Sequence, residues 1–284
     1  MPVEVRRRVP APLLFVLGGV SMYVGAALAV GLFDTLSPSA VAVLRLLGAA
    51  AVLLAWRRPG RSAWRGSALV GAAAFGLATG LMNLAFYEAI ARLPLGTAVA
   101  IEFCGPVAVA AVASRRPRDV AAVVLAAVGV LLIADVRWSG SPSGVLWALA
   151  AATMWAAYIL LARRVAVSGG GLDGMAVGFT VAAVVLSPVL LASPLTPLAD
   201  PQILLLAVGV GVLSSVVPYV LDQIVLRRVG QARFAVMLAL LPATATVIGL
   251  VALGQVPGAL EAAGIAAVVA AVALRSRDGD VHPA

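Results

Sequence analysis

Apolar residues along the 284-residue chain come in long runs separated by short links carrying Arg, Pro and Gly. The runs predict helices over roughly 12–32, 38–56, 67–90, 95–113, 119–135, 143–162, 175–193, 203–226, 234–253 and 258–274. Most approach the ~20 residues that an α-helix needs to cross a hydrocarbon core of about 30 Å. None alternates apolar and polar positions with period two, so the pattern is that of a helical bundle and not of an outer-membrane barrel. The links are compact: RRPGRSAWR, SRRPRD, RRVAVSGGGLD, PLTPLADPQ and RRVGQAR. The expected fold is an all-α integral membrane protein with ten transmembrane helices.

Charge sorts with these spans. If the N-terminus, with Arg6, Arg7 and Arg8, lies in the cytoplasm and the runs alternate sides, 17 of the 20 basic residues fall on the cytoplasmic side. Only Arg92 and Arg137 fall opposite, and Arg45 lies inside the second run. That asymmetry is what the positive-inside rule demands of a chain with both termini inside. The composition agrees: 63% of residues are hydrophobic and 11% charged, where a soluble domain carries about a quarter charged. The net charge of +8 could point to nucleic acid, but its distribution in short clusters between apolar runs reads as topology, and no nucleic-acid partner is expected.

An internal repeat is visible. ARLPLGTAVAIEFCGPVAVAAV aligns with RRVGQARFAVMLALLPATATVI, pairing Arg92 with Arg228 and Pro106 with Pro242. The two stretches lie five spans apart, and an odd offset inserts the halves in opposite senses. Inverted repeats of this kind build many secondary transporters, with the substrate site near the midplane. The chain divides accordingly into five-helix repeats over 1–137 and 138–284, forming one membrane domain.

Several chemistries lack their residues. Cys104 is the only cysteine and His282, in the polar tail, the only histidine, so neither a disulfide nor a Cys/His metal site is expected. No GxxxxGK[ST], HExxH or GxSxG pattern occurs, which argues against a P-loop and against a membrane-embedded enzyme; no cofactor is expected. The first apolar run is long and is followed by no AxA-like site, so it reads as a span and not as a cleavable leader.

The polar residues within the spans carry the candidate chemistry, because an ionised group at membrane depth costs at least a few kcal/mol unless something faces it. Glu102 lies eight residues after Pro94 and Arg45 seven after Pro38, each entering from the outer side. At 1.5 Å per residue both lie roughly 10–12 Å deep. They can form a structural ion pair. Alternatively they line a cavity for a zwitterion, Arg45 toward its carboxylate and Glu102 toward its ammonium, with Glu102 also the candidate for exchanging protons. Asn83, Tyr87, Trp155, Tyr158 and Tyr219 are candidates for shaping that pocket, with helix packing the alternative for each. Asp222, five residues before Arg227, is a further candidate, its alternative being pairing at the cytoplasmic end. Pro218 beside Tyr219 predicts a broken, gate-like helix, and Pro106 and Pro242 free carbonyls at membrane depth. Glu88 is expected to pair with Arg92 at i+4, Gly76 and Gly80 to mark a helix contact, and Glu261 to be interfacial.

At these residues the chain resembles a known family. YEAIARLPLGTAVAIEFCGPVAVA, AIEFCGPVAVAAVASRRPRD, TMWAAYILLARR and LSSVVPYVLDQIVLRR, together with the span pattern, resemble the EamA branch of the drug/metabolite transporter superfamily, and within it the RhtA-type threonine and homoserine exporters. The resemblance implies an inner-membrane exporter of small neutral amino acids, driven by the proton motive force through alternating access, with Glu102 in the central cavity. Where this family often ends its ninth helix in Leu-Gly-Glu, the chain has LGQ with neutral Gln255. The expected partners are a small-molecule substrate, the lipid bilayer and protons, and a homodimer is left open. Export of another metabolite or an amphiphilic drug, and a non-transporting scaffold, are the competing readings.

Overall fold

The computed structural model describes residues 9–113, 117–138, 141–167, 171–192, 199–238 and 240–276, and the regular structure among them is helical throughout. The first half comprises α1 (Ala11–Gly31), α2 (Pro38–Arg57), α3 (Gly66–Ile90), α4 (Leu95–Glu102), α5 (Cys104–Ala113) and α6 (Pro117–Trp138). The second comprises α7 (Pro142–Val167), α8 (Gly171–Leu186), α9 (Pro201–Gly211), a π-helical turn (Val212–Val216), α10 (Val217–Leu238), α11 (Leu240–Leu253) and α12 (Ala259–Ser276). His282 lies outside the described residues.

Six helical stretches are long and apolar enough to cross a membrane: Ala11–Gly31, Pro38–Arg57, Gly66–Ile90, Pro142–Leu161, Leu172–Leu191 and Pro201–Asp222. Shorter apolar helices occupy Leu95–Val109, Val120–Leu132, Leu240–Leu253 and Ala259–Leu274. Their outward faces are apolar, with Leu205 74% and Val251 78% exposed, a surface that lipid tolerates and water does not. The protein is a multi-pass, all-helical membrane protein.

Helix starts follow local chemistry. Pro38 opens α2 behind Ser37, whose hydroxyl accepts from the Ala40 N–H at 3.2 Å, and Pro201 opens α9 behind Asp200, whose carboxylate accepts from the Gln202 N–H at 2.8 Å. The α4 N-terminus is capped from afar: Gln255 Oε1 accepts from the Leu95 N–H at 2.9 Å. Gln255, the residue that departs from the Leu-Gly-Glu pattern, thus has a structural task that an amide performs.

The run from Val217 to Leu238 is helical without interruption, where the sequence predicted a link at RRVGQAR. A straight helix of that length would separate its ends by about 30 Å. Yet Leu221 packs beside Gly18, Leu241 beside Gly19, and the Phe234 ring meets the Phe15 ring edge-on at 5.5 Å. Leu221 and Phe234 of the run, with Leu241 just beyond it, therefore meet one stretch of α1, and the run is not straight. Between them Arg228 donates to the Val9 carbonyl at 2.8 Å, just ahead of α1.

Without water to drive helices together, close packing does so, and small residues permit it. At the α3–α8 crossing a Cβ on Gly76 would fall on the Gly178 carbonyl, and one on Gly178 would fall on the Ala72 carbonyl. On Gly80 it would stand 2.8 Å from Leu186 Cδ1. The GxxxG of α3 is thus a helix contact, as its sequence implied. Gly76→Val forces the two backbones apart and is expected to cost roughly 1–3 kcal/mol or more. A thermal unfolding series on detergent-purified protein should show a midpoint lower by several degrees for Gly76→Val. Gly31→Ala, at a site with nothing within 4 Å, should leave it unchanged.

Candidate functional site

A cavity of about 220 Å³ lies between the halves of the bundle. At roughly 30 Å³ per water molecule it has the size of a small amino acid with a few waters. On α3 its wall runs from Phe75 through Thr79 and Asn83 to Tyr87, and on α8 it comprises Met175 and Phe179 near the helix start. On α8 it therefore reaches toward the end that carries Gly171. The opposite ends are packed shut by Leu36, Ile90, Leu93, Leu95 and Val99, all buried.

Arg45, on α2 and 7% exposed, stands in the cavity wall. One arm of its guanidinium donates to Asn83 Oδ1 on α3, and Nη2 donates to the Ser214 carbonyl at 2.8 Å. The group also lies 5.3 Å from the Tyr87 ring centroid, in cation–π range. Asn83 is oriented for this by its own Nδ2, which donates to the Thr79 carbonyl at 2.8 Å. Among the described residues two buried atoms make no well-formed hydrogen bond, Arg45 Nε and the Tyr87 hydroxyl, the latter lying beside Ser214 and Arg45. In a native structure such atoms call for a reason, and a ligand acceptor is one.

The Ser214 carbonyl is available for a local reason. It belongs to the π-helical turn, where the Val217 N–H bonds back to the Val212 carbonyl. Pro218 follows directly and has no N–H, so the next carbonyls lose helical partners. Ser21 of α1 donates to Leu213 at 2.8 Å and Arg45 donates to Ser214. The helix expected to break at Pro218 runs on, with a π-helical turn just ahead of the proline. At Pro106 the chain is interrupted too: α4 ends at Glu102, Phe103 forms a turn, and α5 starts at Cys104. Pro242 differs, because it falls in the first turn of α11, where a missing N–H breaks no bond within the helix.

Glu102 shares the cavity with Arg45, yet no ion pair joins them among the described residues. Depth made them neighbours, and the guanidinium is committed elsewhere. Asp222 also lines the cavity, together with Tyr219, Tyr158 and Trp155. The last two carry a packing role as well, Trp155 edge-on to Phe103 at 4.6 Å and Tyr158 against Phe75 at 4.8 Å. All eight side chains singled out as substrate or proton contacts thus border one space, which holds one guanidinium and two carboxylates. Ser214 and Tyr23 border it too and were missed. The Ser-Ser pair ahead of Pro218 was a readable signal for the first; a lone Tyr in an apolar helix gave none for the second.

Away from the cavity, Glu88 accepts from Arg92 Nη1 at 2.6 Å, the expected i+4 pair, and from the Ser39 N–H and hydroxyl. Glu261 corrects its expectation. It is 1% exposed, not interfacial, and takes a hydrogen bond from the Thr97 hydroxyl, because the first turn of α12 packs against α4.

Comparison with known proteins follows this geometry. Residues 142–277 match the EamA-like transporter family. The threonine/homoserine exporter RhtA of Salmonella typhimurium strain LT2 is 35% identical over 271 residues, covering 93% of this chain and 92% of the relative. RhtA of Escherichia coli strain K12 is 33% identical, covering 95% and 93%. A solved crystal structure superposes with a TM-score of 0.61 at 21% identity over 93% of this chain and 95% of that one, a likeness of fold. On the identity and coverage of these relatives, the chain is a membrane transporter belonging to the EamA-like transporter family.

Proposed function

We infer that the protein exports small neutral amino acids of the threonine and homoserine type across the bacterial inner membrane by proton antiport with alternating access. The observation that carries this reading is the split charge of the cavity: Arg45 and Glu102 line one space without an ion pair between them, and Arg45 Nε makes no hydrogen bond among the described residues. An α-amino acid is itself a split charge. Its carboxylate suits Arg45 Nε–H and the Tyr87 hydroxyl, and its ammonium suits Glu102 or Asp222. Substrate ammonium and a proton then compete for the same carboxylates, which is antiport in its simplest form. Threonine and homoserine, for which the two relatives are named, agree with this chemistry.

The proposed architecture is ten spans in two inverted five-helix repeats, 1–137 and 138–284, with both termini in the cytoplasm. The packing supports it. The most extensive contacts are α3 with α7 and α8, α6 with α12, α1 with α10 and α11, α2 with α8 and α9, α4 with α11, and α5 with α7. Each joins the first half to the second. Exchanging the halves turns α3–α7 into α1–α10, α3–α8 into α2–α9, and α5–α7 into α1–α11, and leaves the other pairs in place. In this topology the end of the cavity lined by Met175 and Phe179 of α8 faces the cytoplasm, the side from which an exporter loads.

One charge crossing 100 mV releases about 2.3 kcal/mol, so one coupled proton sustains roughly a 50-fold substrate gradient. Everted membrane vesicles given an inside-acid gradient should take up labelled threonine and homoserine. Glu102→Gln, normally inserted, should reduce that uptake to background. Uptake equal to wild type in this variant would remove Glu102 from coupling, and no uptake by wild type beside a working control exporter would remove the substrate.

Arg45→Lys keeps the charge but has no planar fork to span Asn83 and Ser214. Its KM for threonine is expected to rise about tenfold or more at similar expression, measured in the same vesicles. A KM within twofold of wild type would show that geometry at this position is immaterial.

A further inference from the structure

Two opposite charges share the cavity without pairing, although an ion pair is the cheapest arrangement for charges removed from water. Something holds them apart. We propose that Pro218 is a positioning residue for the substrate site: by stranding the Ser214 carbonyl, it anchors Arg45 away from Glu102 and so keeps both charges open to the two ends of a zwitterion. This rests on the amino-acid reading above and deepens it.

The tether has two points. Asn83 Oδ1 holds one arm of the guanidinium and the Ser214 carbonyl holds Nη2 at 2.8 Å. In a regular helix the N–H of residue 218 would occupy that carbonyl, and proline cannot supply it. The π-helical turn Val212–Val216 is itself locked against α1, through Ser21 to the Leu213 carbonyl at 2.8 Å and through the Ser214 hydroxyl to the Met22 carbonyl at 3.2 Å. Gly25 permits that approach, since a Cβ there would stand 3.1 Å from the Ser214 backbone nitrogen and closer still to its side chain. The anchor for Arg45 is therefore fixed to α1 at three points and does not follow the guanidinium if it moves. With both anchors filled, the guanidinium atom left over is Nε, which meets no acceptor among the described residues, and the Tyr87 ring lies 5.3 Å from the guanidinium carbon. The groups that could claim Arg45 in their place are Glu102 on α4 and Asp222 on α10, both lining the same space and neither hydrogen-bonded to it.

Pro218→Ala returns an N–H to the Ser214 carbonyl and releases one arm of Arg45. The expected outcome is collapse of Arg45 onto Glu102, visible in a crystal structure of the variant as a nitrogen–oxygen approach within ~4 Å. Threonine binding to the purified protein in lipid nanodiscs should weaken about tenfold. Gly31→Ala, at a site with nothing within 4 Å, is the control and should leave threonine affinity within twofold. Should Pro218→Ala fail to fold, Asn83→Ala removes the other tether and is read in the same way. Arg45 remaining on the Ser214 carbonyl in the variant, or threonine binding with wild-type affinity, would overturn the proposal. If wild type binds no threonine while the variant still pairs Arg45 with Glu102, the positioning role stands and the amino-acid reading falls.

Discussion

The structure turns on a guanidinium held in the middle of a membrane. Arg45 cannot shed its proton, and its desolvation is bearable only if its donors are met by acceptors that a helical bundle rarely has to spare. A regular helix consumes its own carbonyls. The protein supplies one by distorting a helix, with a π-helical turn and a proline in succession, and another from the Asn83 amide. The irregularity between α9 and α10 and the charge on α2 explain each other, although 169 residues separate Arg45 from Ser214.

Bringing those two elements together is a matter of close approach. Lipid tails attract apolar side chains as well as a neighbouring helix does, so contacts must come from surfaces that fit. On Gly211, the last residue before the π turn, an added Cβ would stand 3.0 Å from the Ala49 backbone nitrogen on α2. On Gly48 it would stand 2.8 Å from Val208. The π turn can reach Arg45 because glycines on both helices let their backbones meet. The same device joins α3 to α8 on the other side of the cavity. The cavity is thus the gap left between tightly docked helix pairs, lined where they diverge by side chains with charges or hydroxyls to offer.

A transporter needs a site that neither collapses nor holds too firmly. Charges left unpaired by the protein are stable only if their surroundings are rigid or wet, and this cavity has features of both: fixed anchors for Arg45, and room for water beside Glu102 and Asp222. The closed end shows the opposite economy. Glu88 with Arg92 and Ser39, Glu261 with Thr97, and Gln255 with the Leu95 N–H are all satisfied within the protein. Polar groups at that end seal the packing, and those in the cavity stay available.

Much of this was legible in the sequence because membrane insertion is a local problem. Lipid satisfies no backbone hydrogen bonds and accepts few charges, so length, hydropathy and arginine placement marked the helices, and counting residues from their ends set Arg45 and Glu102 at one depth. Pro218 announced an irregular helix, since a missing N–H is a property of the residue alone. Which way a side chain points around its helix axis, and which helix stands opposite, are not local. Depth allowed Arg45 and Glu102 either to pair or to line one cavity, and docking of the helices put both on the cavity while giving Arg45 to Asn83 and to a carbonyl of the other half; end position suggested that Glu261 is interfacial, whereas packing against α4 buried it. Sequence alone determined the class of protein, its helices and the depth of its charges. The tertiary structure decided their partners, because azimuth and neighbour choice arise only when the helices dock.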